Sequence, residues 1–267
     1  MMLDPQLVAF AHDLADAARG ETLSRWRAAG AARNKAAAGA PHDPVTEADM
    51  AAETAMRALI EARFPGHGIS GEELDERPAA GRFAWSLDPI DGTRSFVCGL
   101  PTWTTLIALL ADGAPALGII DAPRLGERYL GHGGEAILHD ASGEHMLRVS
   151  GCARLGEARF STTDPALFTG GAAEAVARLS KAVRTIRYGH DAYAYARLAA
   201  GSIDLVVESG LKPHDYNALI PVIRGAGGIV GNWRGEADVS NGEIVAAATQ
   251  ALFEEAVGML RVAEHGI

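Results

Sequence analysis

An apolar run that ends in two carboxylates three residues apart constrains this chain more than any other feature. Phe83-Ala-Trp-Ser-Leu87 is short and apolar enough for a buried strand, and Asp88-Pro-Ile-Asp91-Gly92-Thr93 follows it directly. Pro89 lacks a ladder donor, which predicts that the strand stops at Asp88-Pro89, and Gly92 permits a tight turn. Two carboxylates this close repel unless something positive lies between them. Strand ends in layered α/β proteins are places where ligands collect, because side chains and free backbone groups meet solvent there. Taken alone, the segment also reads as an acidic turn facing water, since Asp is a common turn residue.

The flanking pattern predicts a layered α/β fold. Residues 5–29 read as an amphipathic helix with Leu7, Val8, Ala11, Leu14 and Ala15 on one face, and an Ala/Gly-rich loop follows over 28–41. A second helix begins near Thr46, repeats apolar residues from Ala48 to Ile60 at helical spacing, and ends at Pro65-Gly66. Residues 103–110 and 116–120 predict paired strands joined through Asp112-Gly113, and 126–130 another short strand. In the second half, 171–183, 192–200, 216–226 (despite Pro221) and 246–262 predict helices, with a β-branched strand at 203–207. The irregular alternation and the antiparallel hairpins of the first half suit layered packing better than a Rossmann array. With 267 residues and no internal repeat or low-complexity linker, the length allows one large domain or two small ones.

Composition removes several function classes. Hydrophobic residues make up 48% and charged residues 22%, which is globular composition and excludes disorder along most of the chain. Twenty-four Lys and Arg against 34 Asp and Glu give a net charge of −10 without a basic run, so nucleic acid is not an expected partner. An acidic substrate remains compatible, because bound divalent cations reverse the local sign. Cys98 and Cys152 are too few for a disulfide framework and lack metal-ligand spacing, which fits a reducing compartment. The opening Met1-Met-Leu-Asp-Pro-Gln has neither a basic nor an apolar leader region. The longest apolar run, 106–111, is far short of the ~20 residues that span a bilayer. A soluble, cytoplasmic protein without a membrane partner is the expectation.

More carboxylates surround the central pair in sequence. Gly71-Glu72-Glu73 follows a plausible strand end at Ile69-Ser70, and Asp215 follows Gly210-Leu-Lys-Pro-His214 just before a helix. Singly, Asp215 reads as an N-cap and Thr46-Glu-Ala-Asp49 as a capping box. Together, carboxylates without His or Cys suit a hard cation, Mg²⁺ above all, rather than zinc.

In order and wording these pieces resemble the inositol monophosphatase superfamily of Mg²⁺-dependent, lithium-sensitive phosphatases. The matching strings are Asp43-Pro-Val-Thr-Glu-Ala-Asp49, Gly71-Glu-Glu73, Asp88-Pro-Ile-Asp-Gly-Thr93 and His214-Asp215 with Gly225-Ala-Gly-Gly228. The resemblance implies an αβαβα sandwich in one domain over 1–267, with the metal cluster between a metal-binding half, 1–150, and a substrate-side half, 151–267. It implies two or three Mg²⁺ per site, held by Glu72, Asp88, the Ile90 carbonyl, Asp91 and Asp215. Asp49 and Thr93 would orient and help deprotonate the nucleophilic water, with Glu72 also serving catalysis, and the Gly92 and Thr93 amides would cradle the phosphate. The implied chemistry is direct in-line hydrolysis of a phosphate monoester, without a phosphoenzyme, in a homodimer.

Within that superfamily, Asp91-Gly-Thr-Arg94-Ser-Phe96, Gly99-Leu-Pro-Thr-Trp103, Asp121-Ala-Pro-Arg-Leu-Gly-Glu-Arg-Tyr129, Arg187-Tyr-Gly189-His-Asp191-Ala-Tyr193 and Gly210-Leu-Lys-Pro-His-Asp-Tyr216 are similar to the histidinol-phosphate phosphatases. Departures are Thr104, where that subgroup usually has Gly, and the residues at 190–192. Asp191 and Glu208 align with positions lining the alcohol side of the pocket, with Arg94 and Gly189 nearby, and carboxylates there would favour a cationic alcohol. Glu208 equally matches a position that holds an inositol hydroxyl, so an inositol-1-phosphatase or a broader sugar-phosphate phosphatase is the alternative. A catalytically inactive metal-binding regulatory protein is a third reading, which the intact acidic set argues against. Lys35 would assist the site or lie on the surface; His190 and His214 flank it, and Trp85 and Trp103 read as core or pocket wall. No P-loop and no Gly-x-Ser-x-Gly elbow is present.

Overall fold

A computed structural model of the chain describes residues 3–27, 33–34 and 44–261. The first helix, α1 (Pro5–Arg25), starts where the Asp4 side chain accepts from the Gln6 amide at 2.9 Å and Pro5 occupies a position that needs no donor. It buries Leu7, Phe10, Ala11, Leu14, Ala15 and Ala18. It stops at Arg25 rather than continuing to 29, because Trp26 is extended and Arg27 has a φ of 61°. The short strands β1 (Arg33–Asn34) and β2 (Pro44–Val45) pair antiparallel; Lys35 and Asp43 lie outside the described residues. Helix α2 (Glu47–Arg63) begins in a capping box, Thr46 and Asp49 bonding reciprocally.

A seven-stranded sheet follows. Strand β3 (Gly68–Gly71) is parallel to β4 (Phe83–Asp91), and after the short helix α3 (Thr93–Val97) an antiparallel meander runs through β5 (Thr104–Ala111), β6 (Ala114–Ala122), β7 (Glu127–His132), β8 (Glu135–Asp140) and β9 (Gly143–Met146). The β5–β6 hairpin turns at Asp112 and Gly113, both at positive φ, as the Asp-Gly signal predicts. Pro89 does not end β4. The strand continues to Asp91 through a bulge, its pairing shifting from Asp88 opposite Leu106 to Asp91 opposite Thr104. A bulge takes the residue without a donor out of the ladder, and the Pro89 carbonyl is satisfied by the Thr105 hydroxyl at 2.8 Å.

The second sheet is five-stranded, in the order β11-β10-β12-β14-β13: β10 (Arg159–Thr162), β11 (Thr185–Tyr188), β12 (Leu205–Glu208), β13 (Ile229–Gly231) and β14 (Ile244–Ala247). Its helices are α4 (Gly170–Ala182), α5 (Asp191–Ala199), α6 (Pro213–Tyr216), α7 (Leu219–Gly225) and α8 (Gln250–Arg261). The helix expected over 216–226 is thus two helices, and Pro221 sits in the first turn of α7, where its missing donor costs nothing. The helix expected over 246–262 gives up its first residues to β14, because Ala246 and Ala247 pair with Val206 and Leu205.

Alternating side chains sort these elements into five layers. Ile107 and Leu109 face α1 and α2, whereas Leu106 and Ala108 face a central core with α5 and α7. That core is shared with Val206, Ile244 and Ala246 of the second sheet, whose opposite face, through Leu205, Val207 and Val245, packs on α4 and α8. The order α–β–α–β–α is the expected sandwich. Gly118 and Gly131, paired across β6 and β7, let the central helix layer touch the sheet backbone; a Cβ on either would lie 2.0 Å from the Ala218 carbonyl oxygen or 2.4 Å from Pro221. Among the described residues, no helix is long and apolar enough to cross a membrane.

Candidate active site

The bulged end of β4, the start of α5, the end of β12 and α6 converge on one cavity of about 430 Å³. Asp88, Asp91 and Asp215 bring carboxylate oxygens within 4.8 Å of one another. Each is held by the local chain. Asp88 accepts from the Ile90 amide at 3.1 Å, and Asp91 accepts from the Ala192 amide at 2.7 Å and the Thr104 hydroxyl at 3.2 Å. Asp215, the third residue of α6 rather than its N-cap, accepts from the Lys212 amide at 2.6 Å and lies 3.5 Å from His214 Nε2.

Burial pushes Asp88 well above the usual carboxylate range, and the charges of Glu72, Asp91 and Asp215 add to it. Asp91 is raised in the same way by burial, then by Asp191 and Asp215, against the opposing pull of its Ala192 and Thr104 hydrogen bonds. Burial also raises Asp215, with His214 opposing it. No described Lys or Arg pairs with Asp88 or Asp91. Oxygen donors only, mutually repelling and pre-aimed at a common space, fit a hard divalent cation such as Mg²⁺.

Asp49 is fully buried at the start of α2. Its Oδ2 accepts from the Thr46 amide at 2.8 Å and hydroxyl at 2.5 Å, while its Oδ1 has no partner among the described residues. Burial pushes it up to about 6, with Glu73 and Glu72 adding repulsion and the Thr46 hydrogen bonds opposing it. The Thr93 hydroxyl donates to the Ile90 carbonyl at 3.0 Å, and no hydrogen bond joins Thr93 to Asp49. Gly92 is left-handed, at φ 79°, and a Cβ there would lie 2.8 Å from Asp191 Oδ2, so only glycine lets α3 and α5 meet this closely.

Asp191 and Glu208 line the same cavity as Glu72, Asp91, Thr93 and Asp215. Asp191 carries a φ of 45°, strained for a residue with a side chain, and burial raises it to about 6 against the pull of Arg94. Glu208 accepts from the Thr163 amide at 2.6 Å, and burial raises it to about 7. Arg94 stands exposed at the rim, 3.7 Å from Asp164. Asp49, Asp88, Ile90 and Gly189 are not in the cavity wall; Gly189 turns the chain, at φ 79°, two residues before Asp191. Trp85 and Trp103 are fully buried core, and His190 precedes α5 with a buried Nδ1 that has no partner.

Several contributors were not visible in the sequence. Glu53, fully buried on α2, accepts from the Glu73 amide at 2.9 Å, the Leu74 amide at 3.2 Å and Arg57 at 2.8 Å, and so fixes the loop that carries Glu72. Its signal was a glutamate on the apolar face of α2, between Ala52 and Met56. Thr104 stood out only as a departure from the subgroup pattern, yet it bonds Asp91. Tyr195 and Lys212 also line the cavity.

The sandwich and its acidic cavity define an enzyme of the phosphatase class. Residues 4–264 match the Inositol monophosphatase family, and the chain belongs to that family. It is 48% identical over 195 residues to the bifunctional phosphatase IMPL2, chloroplastic, of Arabidopsis thaliana, a match covering 72% of this chain and 56% of that longer protein. It is 35% identical over 210 residues to the histidinol-phosphatase of Chlorobaculum parvum, covering 78% of this chain and 80% of the relative. The structure of an inositol monophosphatase from Zymomonas mobilis superposes with a TM-score of 0.85 at 37% identity, covering 98% of this chain and all of the other.

Proposed function

We propose that the chain is a Mg²⁺-dependent histidinol-phosphate phosphatase. The observation that carries this reading is the pair Asp191 and Glu208 in the cavity wall, two buried carboxylates raised to about 6 and about 7. A bound cation relieves the cost of ionising them, and the alcohol half of histidinol phosphate carries an ammonium and an imidazole. Similarity to the Chlorobaculum parvum histidinol-phosphatase supports the same ester.

Glu72, Asp88, Asp91, Asp215 and the Ile90 carbonyl would hold two or three Mg²⁺. When bound, the metal supplies charge neutralisation of the phosphate and activation of water for in-line attack. The chain does the rest. Asp49, raised to about 6, holds or releases a proton near neutral pH. Thr93 presents its hydroxyl beside Ile90, and the Gly92 and Thr93 amides receive phosphate oxygens. The Glu53 clasp keeps the Glu72 loop in place. A homodimer and inhibition by lithium accompany this reading, read by light scattering and by a lithium titration of the assay.

An inositol-1-phosphatase is the second reading, favoured by the whole-chain match to the Zymomonas mobilis structure. Phosphate release from histidinol phosphate and inositol 1-phosphate, each with Mg²⁺ and with EDTA, separates them. A kcat/KM preference of ~100-fold for histidinol phosphate, about 2.7 kcal/mol at the transition state, is expected. Preference for the inositol ester moves the assignment to the second reading, and no Mg²⁺-dependent release from either overturns both.

A further inference from the structure

Buried hydroxyls normally find partners, and two tyrosines close to Tyr195 do. Tyr129 donates to Glu127 Oε2 at 2.6 Å, and Tyr193 donates to the same oxygen at 3.0 Å. Tyr195 differs from both. It is 2% exposed and its hydroxyl oxygen is fully buried, yet that hydroxyl has no hydrogen-bond partner among the described residues. It lies in the wall of the active-site cavity. Four residues after Asp191, it sits one turn further along the same face of α5. A buried donor without an acceptor weakens the fold, and such groups persist where a ligand supplies the partner.

We propose that the Tyr195 hydroxyl positions the substrate by donating a hydrogen bond to an uncharged nitrogen or hydroxyl oxygen on the alcohol half of the bound ester. The placement selects the alcohol half over the phosphate: Tyr195 shares its helix face with Asp191, and Glu208 is the first of the charges acting on it, ahead of Asp91 and Asp215. Burial raises the phenol well above its ordinary value, with those three carboxylates adding to it, so the group stays a donor. This contact rests on the alcohol-side reading of the cavity given above. It adds a directional donor to a region otherwise supplied with carboxylates, which recognise charge but cannot donate when ionised.

The test is Tyr195→Phe, which removes one oxygen and keeps the ring. Kinetics with histidinol phosphate and inositol 1-phosphate in Mg²⁺ are read beside inhibition by inorganic phosphate, a probe of the phosphate and metal end alone. On whichever ester the unaltered enzyme prefers, KM is expected to rise about tenfold, the value of one lost hydrogen bond, with kcat within about threefold. The inhibition constant for phosphate stays unchanged, and Tm is equal or higher, because the lost hydroxyl bonded nothing in the protein. An unchanged KM on the preferred ester overturns the contact while leaving the phosphatase reading intact. So does a rise in KM matched by the phosphate inhibition constant, which would place the hydroxyl at the phosphate end. If the unaltered enzyme cleaves only the inositol ester, the histidinol reading fails and Tyr195 is judged on that ester by the same ratios. If it cleaves neither, both fall together.

Discussion

Asp121 on β6 and Asp88 on β4 are both buried carboxylates of the seven-stranded sheet, yet only the first meets cations. Asp121 accepts from Arg19 at 2.7 Å and from Arg128 at 2.7 Å, and Arg128 reaches on to Asp16 on α1. Asp204 is treated likewise: burial pushes it upward, but Arg159 and Ser150 outweigh that and hold it below the ordinary range. At the cavity, burial and neighbouring carboxylates act together and no Arg or Lys opposes them at Asp88. The fold supplies cations where carboxylates tie layers together, and no described Lys or Arg acts on Asp88 or Asp91 beside the cavity. That difference identifies the site more sharply than the number of acidic residues does, because acidic clusters by themselves are common.

The comparison breaks most visibly at Asp91. Asp91→Asn keeps the Ala192 hydrogen-bond acceptor while removing a proposed cation ligand, so Mg²⁺-dependent turnover should fall by about 10³-fold or more, ~4 kcal/mol at the transition state. Near-normal rates would show that Asp91 is an ordinary buried carboxylate. The opposite manipulation is Arg128→Ala, which strips one guanidinium from Asp121 but leaves Arg19, and should cost about 1.5–3 kcal/mol in urea unfolding with an unchanged denaturant slope. Activity per folded molecule should hold.

A gentler probe is pH. Glu208 is raised from 4.5 to about 7, so the folded state binds its proton more tightly than the unfolded state does. Its contribution to stability therefore declines as pH rises from about 4.5 to 7 and is flat above that. Glu208→Gln should remove this decline and be more stable than the parent at pH ~8, by on the order of 2–3 kcal/mol, in thermal unfolding across that range. A variant no more stable there would show that Glu208 is compensated as Asp121 is. The smallest effect belongs to Arg82 and Asp112, an exposed pair at 2.6 Å: Arg82→Ala should change stability by no more than about 0.5 kcal/mol.

The acidic set was largely legible in the sequence, because each of its members lies in a short string with a turn-forming neighbour: Asp88-Pro-Ile-Asp91-Gly92, Gly71-Glu72, His214-Asp215. Layered packing was legible from the irregular alternation and the hairpins, whereas the α–β–α–β–α order came from the resemblance to the inositol monophosphatase superfamily. What escaped was the support that arrives from distant sequence. Glu53 clasps a loop twenty residues away, and the Ala192 amide reaches Asp91 across 101 positions; neither leaves a local pattern. The strand β4 outran its predicted end because a bulge, which depends on the partner strand, accommodates Pro89. Strands β1 and β2, β8 to β11, β13 and β14 were not anticipated, β1 falling inside the loop expected over 28–41; they are short or half-exposed and lack clean alternation, as in the exposed Gly143–Met146.

Asp88 and Asp91 are arranged for a cation that no described Lys or Arg provides. Thermal unfolding of the parent and of Asp91→Asn at neutral pH, each in EDTA and in saturating Mg²⁺, tests it most directly. In EDTA the variant should unfold at the higher temperature, because one repelling charge is gone. In Mg²⁺ the parent should overtake it, gaining about 2.7 kcal/mol at a hundredfold excess over Kd. A parent whose unfolding ignores Mg²⁺, or a variant that is the less stable of the two in EDTA, would contradict the account.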